Sequence, residues 1–301
     1  MVVIKKKNPL KMIIRIKKRK LIQLLVFLMV VIPLVYAATG PVTQQFMVYL
    51  TMANRPPVIH WVNTTAAIDP VDSGNVVIVL LFNVTDPDGY ADINASSADM
   101  SINDSNFIVN ATQCWSVEND SNWGYYNCSI TMKYWYNASG YTINATILDE
   151  NGSIAINASE TFTYNELSAM SLPSTVVNFT GVNIGDENAS AATNPFLLNN
   201  TGNDDFDLVN ISASALRGMT DLGVNLNVEN VSINWSTNTD TALAMINTSN
   251  QTLTNAVLKH GEPPISNMSI NFYITIPSDS GLRPQDYNAT KKWSITLTDL
   301  P

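Results

Sequence analysis

The sequence predicts an all-β protein, two β-sandwiches in tandem behind a short apolar leader. Three observations carry this prediction. Beyond residue 40 apolar and polar residues alternate, and no segment sustains the 3.6-residue apolar period of an amphipathic helix. Turn signals interrupt the alternation at a spacing of about 8–12 residues, as in sandwiches. Among them are Asp86-Pro87-Asp88-Gly89, Asn151-Gly152, Thr201-Gly202-Asn203 and Ser278-Asp279. Finally, 46% of the 301 residues are hydrophobic and only 14% charged, which supplies packed cores and leaves Asn, Ser and Thr as the polar surface.

The leader comes first. Lys5, Lys6, Lys7, Lys11, Arg15, Lys17, Lys18, Arg19 and Lys20 precede the uncharged run LIQLLVFLMVVIPLV at 21–35. Residues 1–37 therefore read as a signal peptide cut after Ala37, or as an uncleaved signal anchor helix. Either way the rest of the chain is expected to be extracellular, at the cell surface. That remainder holds seven bases against 25 acids, a net −18. Such a surface excludes nucleic acid as a partner. Membrane contact is expected only through the leader, if it is retained.

Residues 38–56 form an N-terminal strand and a proline linker. In GPVTQQFMVYLTMANRPP (40–57), Phe46, Val48, Leu50 and Met52 share one face with Val42 and Gln44. Asn54-Arg55-Pro56-Pro57 then stiffens, because a residue before proline is pushed to extended conformations and proline donates nothing to a ladder. An apolar strand face must find a sheet. Three placements are open: pairing in the first module, pairing in the second, or donation to a neighbouring subunit as an added strand. No apolar tail or sorting motif follows TLTDLP, so the chain is expected to be held by partners or released.

The first module spans 57–168. Its expected strands are Val58–Val62, Val76–Phe82, Phe107–Val109, Cys128–Tyr136, Tyr141–Leu148 and Ile154–Tyr164. VVIVLLF is apolar on both faces, the pattern of a central strand covered on each side. Cys114 and Cys128, an even count in an exported chain, read as one disulfide. The 15-residue loop they close is worth about 3 kcal/mol on the chain-entropy view. The stretch NRPPVIHWVN…NVTDPDGYADINASS resembles Ig-like, cadherin-like and PKD-like modules of prokaryotic, notably archaeal, cell-surface proteins. There a Pro-Pro linker enters the first strand and a D-x-D-G turn closes the second.

The second module spans 171–301. Its expected strands are Thr175–Ile184, Phe196–Asn199, Asp207–Ala213, Gly223–Trp235, Ala242–Ile246, Ile265–Ile276 and Lys291–Thr298. NPFLLNNTGNDDFDLVNISASAL resembles the strand–turn–strand of secreted jelly-roll and Ig-like proteins, including TasA-like fibre proteins and archaeal donor-strand pilus subunits. The resemblances imply Ig-like or jelly-roll-like sandwiches for the two modules. Within the turn, Gly202 permits the conformation, and Asn200 and Asn203 bond locally to the backbone.

Asn-x-Ser/Thr triplets occur 21 times. In a strand such a triplet places Asn and hydroxyl on one face and the middle residue on the other. Asn230-Val231-Ser232-Ile233-Asn234-Trp235 illustrates it, and the triplets are expected to mark the watered faces of half-buried strands. Asn63, Asn83, Asn94, Asn110, Asn127, Asn137, Asn144, Asn157, Asn178, Asn210, Asn230, Asn234, Asn267 and Asn288 are the glycosylation candidates.

Two acidic turns remain. Asp86, Asp88 and Asp92 offer a set of hard oxygen ligands for Ca²⁺, the one cofactor considered, although the same spacing suits a plain tight turn. Asp204, Asp205 and Asp207 form a second acidic turn. Trp115, Trp123, Tyr125, Tyr126, Tyr134, Trp135 and Tyr136 surround the cysteines, as core around the bridge or as a sugar-stacking surface. No histidine lies near either cysteine, and no HExxH or phosphate loop is present, so no enzyme is expected. The expected function is that of a structural or adhesive surface glycoprotein, a filament or envelope-layer subunit assembling by strand addition. Its partners would be copies of itself or other surface proteins. The alternatives are a carbohydrate-binding module taking glycans and, more distantly, a secreted hydrolase.

Overall fold

The computed structural model describes residues 20, 22–30, 44–235, 243–246, 250–278 and 281–299. Most of the leader lies outside them. Lys20 and residues 22–30 are helical and exposed, and no helix among the described residues is long and apolar enough to cross a membrane. Met1–Ala53 and Asn54–Pro301 separate as two compact units. In the first, residues 44–53 lie in no ladder. Phe46, Val48, Leu50 and Met52 are 84, 78, 84 and 81% exposed. Val42 lies outside the described residues.

The second unit contains two hydrophobic cores with no residue in common. The first is a sandwich of two four-stranded antiparallel sheets. One has the order β1 (Val58–Val62), β2 (Asn75–Thr85), β6 (Trp123–Lys133), β5 (Gln113–Asn119). The other has β4 (Ile108–Asn110), β3 (Ile93–Asn103), β7 (Ser139–Asp149), β8 (Ile154–Tyr164). Alternation aims Leu80, Phe82, Val84, Tyr126, Ile130 and Met132 from the first sheet at Ile102, Tyr141, Ile143 and Ile147 from the second. Each fully buried side chain of this kind contributes about 1.5–3 kcal/mol. Phe82 stacks on Tyr126 at 5.3 Å and Tyr141 on Phe162 at 5.6 Å. The buried Tyr141 and Tyr164 hydroxyls donate to the carbonyls of Asn137 and Lys133, which meets the cost of burying them.

Two details differ from the sequence reading. VVIVLLF is central in its sheet but covered on one face only, since Val77 and Val79 remain 60 and 49% exposed. Strands β3 and β5 were not anticipated. β3 carries an Asn94–Asp99 bulge rich in small polar residues, and β5 is an edge strand with little burial.

The second module is more fragmented. Its main sheet runs β16 (Leu243–Ala244), β15 (Val231–Trp235), β18 (Asn267–Ile274), β11 (Phe196–Asn200), β9 (Met170–Ser171), with β10 (Ala189–Ser190) also on β18. A three-stranded sheet orders β17 (Asn250–Thr252), β12 (Leu208–Ser212), β20 (Ser294–Thr298). Another orders β14 (Asn225–Leu226), β13 (Leu216–Gly218), β19 (Tyr287–Ala289). The expected strand Gly223–Trp235 is thus broken by a 3-10 turn at Val228–Asn230. The expected strand Thr175–Ile184 joins no ladder among the described residues. Side-chain hydroxyls meet part of its backbone: Val176 N–H donates to Ser174 Oγ and Asn178 N–H to Thr193 Oγ1.

Candidate functional site

Three regions have the chemistry for recognition, and the acidic end of module 1 is the most organised. At the end of β2, Asp86 closes a tight turn. Its Oδ1 accepts from Asp88 N–H at 2.7 Å and its carbonyl from Gly89 N–H at 3.1 Å. Gly89 adopts φ 109, open to glycine and costly for other residues. The 3-10 turn Tyr90–Asp92 follows and swings Asp92 back beside Asp86. One carboxylate oxygen each from Asp86, Asp88 and Asp92 lie within 4.8 Å of one another. The turn is pinned to the β5–β6 hairpin, because Asp86 N–H donates to Asn122 O and Tyr90 N–H to Ser121 O.

The turn after β7 meets it. Asp149, 1% exposed, accepts at Oδ1 from Asn151 and Ser153 N–H. Asn54 Nδ2 donates to Asp149 Oδ2 at 2.7 Å, and Arg55 N–H to Asp88 Oδ2 at 2.8 Å. Asn151 Nδ2 donates to both Asp92 Oδ1 and Asn54 Oδ1. The proline linker thus docks on the acidic end through its first two residues. Burial raises the Asp149 carboxyl, but donation from Asn54, Ser153 and Asn151 outweighs it and leaves the pKa low. Asp86 shows the reverse. Burial first, then the charges of Asp92, Asp88 and Asp149, push its carboxyl above the usual range against one backbone bond.

The second acidic turn does not converge. Asp205 is engaged by Lys259 Nζ and His260 Nδ1, both at 2.7 Å. Asp204 lies near Glu166 and Asp299 instead, and its Oδ2 accepts from Ser168 Oγ.

The Asn200–Asn203 turn has a larger part than its local reading suggests. Asn200 Oδ1 does accept from Gly202 N–H at 3.0 Å. Asn203, however, is spent on the segment joining the modules. Its Nδ2 donates to Tyr136 O and Asn165 O, and its Oδ1 accepts from Leu167 N–H. Thr201 N–H donates to Ala169 O, and Ser73 N–H donates to Thr201 O. A Cβ on Gly202 would sit 1.9 Å from Leu167 O, so the backbones touch there. Beside this clamp, His260 Nε2 lies 3.0 Å from Asn137 Oδ1, and Asn137 Nδ2 donates to Asp104 Oδ2.

In module 2 a cleft of about 1660 Å³ opens beside the unpaired Thr175–Ile184 segment. Val177, Phe179, Phe196, Phe272, Trp293 and Ile295 line it, from that segment and from both facing sheets. The adjacent β20 is the edge of its sheet.

The aromatic residues near the disulfide divide. Cys114 and Cys128 pair directly across β5 and β6, bridged with Cα atoms 4.1 Å apart. Tyr126 and Tyr134 are core residues. On the outer sheet face Tyr125 approaches Trp61 at 5.9 Å and Trp123 at 4.9 Å, at interplanar angles of 48° and 65°. Such tilted rings present no flat stacking platform. Among the glycosylation candidates, Asn110, Asn178, Asn267 and Asn288 are exposed, and of the other triplets so are Asn119, Asn151, Asn188 and Asn250. Asn83 departs from the expected placement. Trp61 and Tyr125 flank it in register, and it is 9% exposed.

No family model matches this chain, and no curated protein matches it. Among solved structures, a chain titled BspA_C_mut is similar at 8% identity, over 82% of this chain and 99% of that one, with a TM-score of 0.21. A likeness at that level carries no argument about fold type or function.

Proposed function

We propose that this chain is a non-enzymatic structural subunit of a cell-surface filament or envelope layer, exported and glycosylated. Residues 44–52 of one copy add as a strand to the open groove of module 2 in the next. The observation that carries this reading is the cleft between Thr175–Ile184 and the edge strand β20, whose apolar lining includes the half-buried Val177, Phe179, Trp293 and Ile295. An extended segment with Phe46, Val48, Leu50 and Met52 on one face supplies side chains of the matching kind. An edge strand offers its free backbone groups to such a segment, and pockets beside it take alternate side chains. A head-to-tail contact of this type propagates without closing. Exposed Asn110, Asn178, Asn267 and Asn288 are the candidates best placed to carry sugar.

Electron microscopy and sedimentation of the full chain test the reading. Filaments or a concentration-dependent series of oligomers are expected, and removal of residues 44–52 should leave folded monomers. With Leu50→Cys and Ile295→Cys in one chain, oxidation should give a ladder of linked copies. A crosslink closing within single copies, or monodisperse monomer at high concentration, would overturn it.

A further inference from the structure

We propose that Asp86, Asp88 and Asp92 bind one Ca²⁺ ion, and that the ion fastens the Asn54-Arg55 entry of the linker to module 1. The acidic residues alone would not carry this. Asp86 is 2% exposed, and its Oδ2 is buried without a hydrogen-bond partner. Asp92 Oδ2 is likewise buried and unpartnered. A buried carboxylate oxygen with no donor costs heavily unless something positive meets it. Among the described residues no ion pair engages Asp86 or Asp92, and the nearby Arg55 bonds Asp88 through its backbone N–H. Two buried, unpartnered oxygens within one cluster of three carboxylates are an arrangement that a cation completes.

The donor set selects the ion. It offers carboxylate oxygens and no nitrogen or sulfur, which suits a hard cation rather than zinc or copper. Three protein carboxylates converging on one point suit Ca²⁺, whereas Mg²⁺ dehydrates reluctantly and is usually held through one or two carboxylates and several waters. Asp88 Oδ2 already holds Arg55 N–H, and Asn151 joins Asp92 to Asn54. Ordering the carboxylates therefore orders the linker they grip. This inference concerns the acidic end of module 1 and stands independently of strand addition in module 2.

The full chain, stripped with chelator, is titrated with CaCl₂ by calorimetry and by thermal melting. One ion per chain is expected, with a dissociation constant of about 0.1–1 mM, as in extracellular modules, and a higher melting temperature. Hydrogen exchange at the Arg55 amide, which donates to Asp88, should slow with the ion bound. Asp86→Asn keeps the acceptor for Asp88 N–H and removes the buried charge. It should weaken binding at least about tenfold, yet melt above the wild type in chelator. Asp92→Asn, at a half-buried residue, gives a second variant. Absence of binding heat and melting shift at about 10 mM Ca²⁺, well above the weakest extracellular range, would overturn the proposal. So would Asp86→Asn and Asp92→Asn variants that fold and bind Ca²⁺ as the wild type does.

Discussion

Module 1 and module 2 bury the same kinds of side chain and finish their cores by different means. In module 1, β2 and β6 pair along their whole length, from Asn75↔Lys133 to Thr85↔Trp123, and a disulfide locks β6 to the edge strand β5. Its two sheets cover one another, although both cores hold residues at 0% exposure. In module 2 the strands are short and spread over three sheets. Phe196, Phe272 and Trp293, which belong to or pack on the core, also line an open cleft. A complete ladder satisfies its own backbone and leaves only edges to protect, whereas an incomplete one keeps apolar surface and an unpaired segment available. The first arrangement suits a rigid platform, the second a receiver.

The clamp between them is the place to break the comparison outright. Gly202→Ala puts a Cβ 1.9 Å from a backbone carbonyl, where no rotamer change can relieve it. A loss of about 4 kcal/mol is expected, at the severe end for a single substitution. Calorimetry should then resolve two transitions in place of one, the modules unfolding separately. A single transition at the wild-type temperature would mean that the linker contact does not couple the two cores.

Paired core truncations sharpen the contrast. Phe82→Ala in the closed core should cost about 3–5 kcal/mol in urea denaturation, the usual range for a buried aromatic. Phe196→Ala, buried at 5% exposure but beside the cleft, should cost about 1.5–3 kcal/mol, because neighbours lining an open cleft can relax into the space it leaves. Equal losses would indicate that the cleft is filled in solution. Replacing Cys114 and Cys128 by Ala should remove about 3 kcal/mol, and with Gly202→Ala also present, so that the modules unfold separately, the loss should fall on module 1 alone. Hydrogen exchange in β15 and β18 is the control that checks it.

How much of this could be read beforehand follows from the range over which each feature acts. Alternation in Val231–Trp235 and Asn267–Ile274 correctly aimed Ile233, Trp235, Ile270 and Phe272 inward, because a strand's facing is written in neighbouring residues. Thr175–Ile184 alternates too, and Val177 and Phe179 do pack on the core. Yet it has no ladder, since alternation reports which face is buried and says nothing of whether the backbone is paired. The Asp86, Asp88, Asp92 group was legible from its spacing. The contributions of Asn54, Asp149 and Asn151 were not, because two turns distant in sequence meet there only after the sheets form. Asn203 looked like a turn residue for the same reason: its partners Tyr136, Asn165 and Leu167 belong to segments brought beside it by folding.

The smallest expected effect lies at the rim of the clamp and depends on pH. Asp104 and Asp205 stand at the two ends of a hydrogen-bonded run through Asn137 and His260. Burial alone would raise both carboxyls. Asn137, Phe107 and Asn106 outweigh it at Asp104, and Lys259 and His260 at Asp205, so both fall below 3.8. A carboxyl depressed in the folded state binds fewer protons than in the unfolded chain. Its stabilisation is therefore complete above 3.8 and is lost as pH drops through the lower folded value. The Lys259–Asp205 pair is partly exposed, so solvent and salt screen it and its share is small. Asp205→Asn should flatten the acid limb of the stability curve slightly, and Asp104→Asn should flatten it more, because Asp104 anchors its own turn as well as Asn137. If acid instead separates the two calorimetric transitions in both variants as it does in the wild type, the run through Asn137 and His260 does not contribute to joining the modules, and the Asn203 clamp alone holds them.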